Sequence, residues 1–191
     1  MPAILKTPPA VLPVSRDELK AHLRVTSEAE DATLDACLEA ATAEIDGLGL
    51  LGRAMISATY EQLSAPRAGW LELEITPPQS LTAITFTRAD GSTFAGDPAA
   101  YPIVTDGERH WLAPAAWPAG LGARPDAIRA TYVAGFGAAP ADVPAPLRHA
   151  VKLLAAHRFE IREEVIIGAP VAQVPAGVDR LLALYRVRVF G

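Results

Sequence analysis

Residues 142–160 read DVPAPLRHAVKLLAAHRFE and predict the helix on which the fold class depends. The apolar residues recur at helical spacing and form a stripe wide enough to be buried against several neighbouring elements. Asp142 is placed to cap this helix, and Pro144 and Pro146 suit its first turn. A helix this apolar is expected at the centre of a core. Its stripe consists of Leu147, Ala150, Val151, Leu153, Leu154 and Ala155.

Three other segments carry helical signals, two near the N-terminus and one near the C-terminus. Ser15 and Ser27 are each followed three positions later by Glu, which is the spacing of a capping box. Gly47 and Gly49 are typical of a helix end. The predicted helices run from Arg16 to about Arg24, from Ser27 to about Leu48, and from near Pro175 to Arg186.

Between the helical segments, from Met55 to Val133, short β-prone runs alternate with prolines and turn signals. Asp90-Gly91 and Asp106-Gly107 are typical of tight turns between neighbouring strands. The proline-rich segment before the first helix is predicted to be an extended arm that lies on a neighbour. The strands are predicted at Ile56–Leu63, Leu71–Ile75, Ala83–Arg88, Tyr101–Val104, His110–Leu112 and Ala127–Val133.

The order of these elements predicts an α+β fold. Helices precede and follow the strands but do not alternate with them, which argues against a parallel α/β sheet. We expect one domain over residues 1–191, with a helical bundle core formed by the N- and C-terminal helices. The core is assigned to residues 14–48 and 142–186, the β-rich insertion to 55–133 and the C-terminal tail to 187–191.

No stretch of the sequence has the pattern of a catalytic, metal or cofactor site. Residues 47–52, GLGLLG, match G-x-G-x-x-G, but they follow a helix and precede a strand, the reverse of a dinucleotide-binding loop. The pattern is therefore interpreted as a helix end with a turn. His149 and His157 are two turns apart, whereas zinc-binding histidine pairs on a helix are one turn apart. We expect no catalytic residue, no bound metal and no cofactor.

The overall charge restricts the partners of the protein. The formal net charge is −5, and 50% of the residues are hydrophobic. Phosphate binding needs a basic surface, so the chain is a poor candidate for gripping nucleic acid, although an acidic surface suits DNA that slides past. No apolar run approaches the roughly 20 residues that span a bilayer, and no signal peptide is expected. No membrane partner is expected.

The chain ends in Arg186-Val187-Arg188-Val189-Phe190-Gly191, a basic and apolar tail on an acidic protein. One interpretation is a hook that binds an acidic partner surface. Another is a solvated, frayed terminus. The apolar residues of the tail favour the first interpretation, because an unpaired tail with several apolar side chains normally finds a surface.

Taken in order along nearly the whole chain, several motifs resemble the head–tail connector (adaptor) proteins of tailed phages and phage-derived gene transfer particles. In that family a strand ending in Y-x-x-G leads into a helix that begins P-x-x-[LI] and closes on R-E. The matching stretches here are Leu19 to Val25, Gly52-Arg53-Ala54, Tyr132 to Gly137, Val143-Pro144, Leu147, Ala150 to Ala156, Arg162-Glu163 and Val174 to Arg186.

The resemblance implies a non-enzymatic virion protein at the head–tail interface, made and assembled in the bacterial cytoplasm. Such subunits form a homo-oligomeric ring, usually of twelve, that joins the capsid portal protein to the stopper or tail-completion protein. Genome DNA passes through the ring lumen without sequence-specific binding.

Two sets of residues are candidates for contacts, the first implied by the resemblance and the second by apolar character. The closing helix and tail often dock on the portal, which gives Tyr185, Arg186, Arg188, Val189 and Phe190 as portal-binding candidates. An apolar loop is a candidate for contacts between neighbouring subunits, through Val165, Ile166, Ile167, Val171 and Val174.

Three other functions remain open at this point. A tail terminator or stopper ring protein would be β-dominated and would lack the long flanking helices. A small enzyme of unrecognised type would need a pocket with convergent ionisable groups. A nucleic-acid-binding accessory protein is disfavoured by the acidic charge.

Overall fold

The computed structural model describes residues 3–66, 69–107, 109–161 and 175–186. Its helices and antiparallel strands confirm the predicted α+β class. The helices are α1 Arg16–Leu23, α2 Asp31–Ile45, α3 Ala145–Glu160 and α4 Ala176–Ala183. The strands are β1 Ile4–Thr7, β2 Ala58–Ser64, β3 Leu71–Glu72, β4 Pro78–Thr87, β5 Thr93–Gly96, β6 Ile103–Thr105, β7 His110–Leu112 and β8 Ile128–Ala134.

The described chain forms two compact units, one helical and one β-rich. The helical unit contains residues 11–56, 136–161 and 175–186, and the β unit contains residues 3–10, 57–66, 69–107 and 109–135. The unit boundaries near residues 56 and 135 lie within two residues of the predicted limits of the β-rich insertion. That the whole chain is one domain stays a prediction.

The core of the helical unit is built on α3. Leu147, Ala150 and Val151 are fully buried, and Leu154 and Ala155 continue the same stripe. The helix packs against α1, α2 and α4. The predicted central position of this helix is therefore confirmed. The residues buried around it include Val14, Leu19, Leu34, Leu38, Ala41, Ile45, Leu51, Met55, Val178 and Leu182.

The start of α1 follows the predicted capping box. Ser15 Oγ accepts a hydrogen bond from the Glu18 backbone N–H at 3.2 Å, and Glu18 Oε2 accepts one from the Ser15 N–H at 3.0 Å. Both groups would otherwise be unpaired at the helix N-terminus. The apolar residues that flank the box, Val14 and Leu19, are both fully buried. The local sequence signal was therefore sufficient here.

The predicted cap of α2 is wrong. The helix begins at Asp31, and Ser27 Oγ instead accepts from the Ala29 N–H at 3.2 Å in a short turn. Asp31 accepts hydrogen bonds from Lys20 Nζ at 2.6 Å and from Arg16 at 3.1 Å. These bonds, with Lys20 foremost, lower the pKa of the Asp31 carboxyl. The helix α2 thus starts four residues later than predicted, at a position where its first turn contacts α1.

Asp142 does not cap α3 as predicted. Its carboxylate accepts from the Ala139 N–H at 2.9 Å in a separate 3₁₀ turn, Pro140–Asp142, and α3 begins after Pro144. Pro146 has no N–H, so the first turn of α3 presents one donor fewer for a side chain to cap. The proline-rich segment at the start of α3 therefore takes the place of a side-chain cap.

The β unit contains two antiparallel sheets. One has five strands in the order β1-β2-β8-β4-β5, and the other has three in the order β3-β7-β6. The glycines of the two predicted turns, Gly91 and Gly107, have φ of 86° and 103°, which favours glycine at the turns that join β4 to β5 and β6 to β7. Both turn predictions are confirmed.

Three strand predictions need correction. Ile4–Thr7, predicted to be part of an extended arm on a neighbour, forms β1 and pairs with β2 of its own sheet. Thr93–Gly96 forms β5, which was not predicted because TFAG lacks a clear alternation. The strand predicted from Ala83 begins five residues earlier, at Pro78, because β8 pairs with its N-terminal half across two irregular steps in register.

A buried hydroxyl connects the two sheets. Tyr132 on β8 is fully buried, and its Oη accepts from the Ile75 N–H at 3.1 Å. Gln62 Oε1 lies 3.3 Å from the same hydroxyl and accepts from the Glu74 N–H at 3.1 Å, while Gln62 Nε2 donates to Glu72 O at 2.8 Å. Burial raises the pKa of the Tyr132 hydroxyl well above its usual value, which keeps it protonated and able to donate.

Substitution Tyr132→Phe should lower the free energy of unfolding by about 1–3 kcal/mol, because the Ile75 N–H loses its acceptor inside the protein. Urea unfolding followed by tyrosine and tryptophan fluorescence measures the change. The matched control is Tyr101→Phe, since Tyr101 is a largely buried residue whose hydroxyl has no hydrogen-bond partner among the described residues. Equal effects of the two substitutions would contradict the role of the network.

Candidate assembly interface

The loop after α2 turns the chain towards the end of α4. Gly47 and Gly52 have φ of 57° and 68°, in the left-handed region that favours glycine. The N–H groups of Leu50 and Leu51 return to the carbonyls of Glu44 and Ile45 at 2.9 and 3.0 Å, which closes the last turn of the helix. The G-x-G-x-x-G stretch is therefore a helix end with a turn, as predicted.

Gly49 allows the loop to pack closely on the end of the helix. A Cβ atom at this position would lie 2.2 Å from the Glu44 carbonyl oxygen and 3.0 Å from the Asp46 oxygen. Both are backbone atoms, so a side chain could be accommodated only if the loop moved away from α2. The Leu50 carbonyl accepts a hydrogen bond from Arg186 at the end of α4, and its position depends on this close approach.

The Asp46 side chain holds the segment that follows the loop. Its Oδ1 accepts a hydrogen bond from the Met55 backbone N–H at 2.6 Å, and Met55 is fully buried. Burial raises the pKa of the Asp46 carboxyl, although its bonds from the Met55 and Gly47 N–H groups oppose the shift. The side chain therefore contributes as an acceptor, and its negative charge has a cost.

Two arginines attach the end of α4 to this loop. Arg53 Nε donates to the Tyr185 carbonyl at 2.6 Å, and Arg186 Nε donates to the Leu50 carbonyl at 2.9 Å. Arg186 also forms an ion pair with Asp179 at 2.7 Å. Charged donors to carbonyls at a helix C-terminus satisfy groups that have no partner within the helix. The side chain of Arg186 is therefore directed at its own unit.

The end of α4 and the loop both expose leucine. Leu184 is 76% exposed and Leu48 is 62% exposed. Because the arginine contacts hold these two segments together, we call Leu48, Leu184 and the half-buried Tyr185 the α4-end surface. The Tyr185 ring packs edge-on against Phe136, with 6.5 Å between the ring centroids. Sequence analysis missed both leucines, and it placed Leu48 at the end of the second helix, whereas α2 ends at Ile45.

Most of the predicted contact residues lie outside the described part of the chain. Of the portal-binding candidates, Tyr185 and Arg186 are described, and both anchor the base of the tail. Arg188, Val189 and Phe190 lie outside the described residues, as do the subunit-contact candidates Val165, Ile166, Ile167, Val171 and Val174. Their roles stay predictions.

Within the described ranges, no group of three or more His, Cys, Asp or Glu side chains is placed to hold a metal ion. His22 and His149 lie edge-on to each other at 5.9 Å, and they form a pair without a third ligand in that part of the chain. Each helix described is too short or too polar to cross a membrane.

The chain is similar to chains in three solved structures of gene transfer agent (GTA) particles. A chain from the virion of the native GTA particle is 29% identical and superimposes with a TM-score of 0.80, covering 100% of this chain and 98% of that one. A chain from the neck of the empty GTA particle computed with C6 symmetry is 30% identical, with a TM-score of 0.77 and the same coverage. One from the native neck computed with C12 symmetry is 26% identical, with a TM-score of 0.69 and 98% of each chain covered.

No protein-family model matches the chain, and no curated protein does so significantly. The likeness to the GTA chains nevertheless extends over both units and almost the full length of each protein. This full-length likeness places the chain among structural proteins of the particle neck. The chain belongs to the same family as the GTA neck chain to which it is 30% identical.

Replacing Gly49 by Ala should destabilise the helical unit by about 1–3 kcal/mol, because the new Cβ overlaps backbone oxygen atoms. Gly177→Ala is the matched control. A Cβ at Gly177 on α4 would meet nothing closer than Leu153 at 3.9 Å, so this change should stabilise the helix by up to about 1 kcal/mol. Thermal unfolding followed by circular dichroism compares them, and a stabilising effect of Gly49→Ala would contradict the close packing.

Asp46→Asn should leave the protein at least as stable as the wild type at pH 7, because Asn keeps an acceptor for the Met55 N–H and removes the buried charge. The folded pKa of Asp46 is raised, so the folded state gains a proton before the unfolded state as the pH falls. The stability advantage of the Asn variant over the wild type should therefore shrink as the pH falls below the folded pKa of Asp46. It should level off near the ordinary pKa of 3.8.

Urea unfolding between pH 7 and pH 3.5 measures this difference. The control Asp46→Ala removes the acceptor and should cost about 1–3 kcal/mol at pH 7. If Asn and Ala destabilise the protein equally at pH 7, the carboxylate has a role other than accepting this hydrogen bond.

Proposed function

We propose that the protein is a head–tail connector (adaptor) subunit of a gene-transfer-agent-type particle. In this role it is a structural, non-enzymatic protein of the particle neck that forms a ring between the portal and the stopper or tail-completion protein. The observation that carries the proposal is the 30% identity to a GTA neck chain over 98% of that chain's length. The ordered motifs of the connector family along the same chain agree with it.

A ring of identical subunits is the assembly that this role requires. The related necks were computed with C6 and C12 symmetry, and a twelve-fold ring is compatible with both. Each subunit of a cyclic ring contacts its two neighbours through two different surfaces. The large apolar side chains exposed on the described residues are candidates for these contacts and for contacts with other neck proteins. They are Ile4, Leu5, Val11, Leu48, Trp70, Val104, Ile161 and Leu184.

The ring lumen is proposed as the path of the genome. The protein has a formal net charge of −5, which favours passage of DNA over binding. Several of its cations are already paired with carboxylates inside the subunit, including Arg16 with Asp31, Arg129 with Glu61 and Arg158 with Glu44. Paired cations offer less free positive charge to phosphate.

The portal is the proposed partner of the tail and of the α4-end surface. The tail begins at Arg186, whose guanidinium is bound to Leu50 and Asp179. Arg186, the last described residue before the remaining portal-binding candidates, is therefore held close to the exposed Leu184. An anchored base reduces the conformational entropy that a bound tail must lose. The residues proposed to contact the portal are Tyr185, Arg186, Arg188, Val189 and Phe190.

Removing residues 187–191 should abolish binding to the portal while leaving the subunit folded. The truncation ends after Arg186, because both arginine contacts with the loop are then retained. Burial of Val187, Val189 and Phe190 should contribute about 1.5–3 kcal/mol each, so the affinity should fall more than about a hundredfold. Light scattering of the purified protein, alone and with the portal protein of its particle, measures the assembly.

Two results would change the proposal in different ways. If the truncated chain still assembles on the portal, the adaptor role stands and the docking residues are wrong. If the full-length chain ignores the portal, the adaptor role is wrong, and a stopper or tail terminator ring becomes the better assignment. Arg188→Glu in the full-length chain is the control for charge, since it keeps the length and the apolar residues of the tail.

A further inference from the structure

The two edge strands of the five-stranded sheet offer a way to join subunits. β1 and β5 lie at opposite edges of the sheet, and every pair of neighbours between them is antiparallel. With five strands, β1 and β5 therefore run in the same direction. A rotation that brings the β5 edge of one subunit to the β1 edge of the next would place the two strands in parallel.

The free side of β5 presents unpaired backbone groups. The Arg88 N–H donates to the Ser92 carbonyl at 2.8 Å, which makes this the hydrogen-bonded type of antiparallel pair. Alternation then directs the N–H and C=O groups of Thr93 and Ala95 away from β4. Among the described residues neither of these two has a hydrogen-bond partner on that side.

The free side of β1 is complementary. The alternating direction of the backbone groups can be followed from β4 through β8 and β2 to β1. It directs the N–H and C=O groups of Ile4 and Thr7 towards β2 and those of Leu5 to the outer edge. Ile4 and Leu5 are 56% and 48% exposed. At Ala3 the edge is already closed, because its N–H donates to Glu74 Oε2 at 2.7 Å.

These groups define a register. In a parallel pair, a residue whose backbone groups face the partner strand forms hydrogen bonds with two residues of that strand. These are the residues before and after the one that lies directly opposite. Leu5 would lie opposite Phe94, with its N–H donating to the Thr93 carbonyl and its C=O accepting from Ala95. Pairing through the sheet puts Leu5 on the same face as Tyr60, Tyr132 and Phe94. The joint therefore continues the face of the sheet that is buried in each subunit.

Both edge strands are short and β1 has an irregularity between Leu5 and Thr7, but neither strand contains proline and β5 carries no charged residue. Monomeric proteins block exposed edges with charged residues, especially lysine, or with proline. β5 reads TFAG and contains neither. The lysine of β1, Lys6, is held by Glu61 at 2.8 Å, in an ion pair with a residue of its own sheet.

We propose that β5 of one subunit pairs in parallel with β1 of the next, so that the five-stranded sheets form part of the contact around the ring. The inference rests on the proposed function, which supplies the ring and makes a second copy of this chain the occupant. Strands lie about 4.8 Å apart, so twelve such sheets would close around a circumference of roughly 290 Å and leave an open centre. The contact is heterologous, as a ring requires.

A disulfide across the joint tests the register. Ile4 would lie opposite Thr93, and both side chains are exposed on the other face of the sheet. Particles are prepared with the chain carrying Ile4→Cys and Thr93→Cys, in a background in which Cys37 is Ala. After mild oxidation, the double variant should give a ladder of linked copies on a non-reducing gel, and neither single variant should give one.

A second pair of variants tests the backbone bond without any cross-link. Ala95→Pro removes the N–H that would donate to Leu5, while the β4–β5 ladder keeps its bonds. Incorporation into particles should fall about tenfold relative to Ala95→Ser, which keeps the N–H.

The outcomes separate this inference from the function. Normal incorporation of the double-cysteine chain without linked copies, or equal incorporation of the Pro and Ser variants, overturns the strand joint and leaves the neck assignment intact. A cross-link from one of these cysteines to another neck protein would make that protein the occupant and also overturns it. Absence of the wild-type chain from the particles overturns the proposed function itself.

Discussion

The burial of the α3 stripe is the constraint on which the helical unit depends. Five residues of this helix are buried, and each of the other three helices packs against it. Burial of each large side chain contributes about 1.5–3 kcal/mol, more than any surface ion pair in the unit. The position of α4 follows from this packing and from the arginine contacts with the loop after α2.

Ion pairs connect three helices of the helical unit at their surfaces. Arg16 binds Asp31 and Asp35 together, and Arg148 reaches Glu18 at 3.3 Å, so that ion pairs join α1 to both α2 and α3. Exposed pairs of this kind contribute little free energy, so they supplement the packing of the three helices and do not determine it. They also pair cations with carboxylates, which leaves less free positive charge on these helices.

Local sequence patterns predicted those elements whose signals are contained within one or two turns of chain. The Ser15–Glu18 box began α1, and the glycines of residues 47–52 ended α2 as interpreted. The signals failed where the outcome depends on distant residues. Ser27 has a capping-box spacing, yet α2 begins at Asp31, beside Lys20 and Arg16 of α1. β1 lies in a proline-rich segment and becomes a strand because β2 supplies its partner.

The sequence by itself determined the α+β class, the helix at 145–160, the two Asp-Gly turns and the absence of a recognisable catalytic pattern, because periodicity, turn residues and motif spacing are local properties of a chain. Only the tertiary structure decided that Arg53 and Arg186 anchor the end of α4, since these bonds join residues 132 and 136 positions apart. It also decided which backbone groups of β1 and β5 lack a partner among the described residues. An edge exists only after every other strand has taken its place, and no local pattern records which strand will be left outermost.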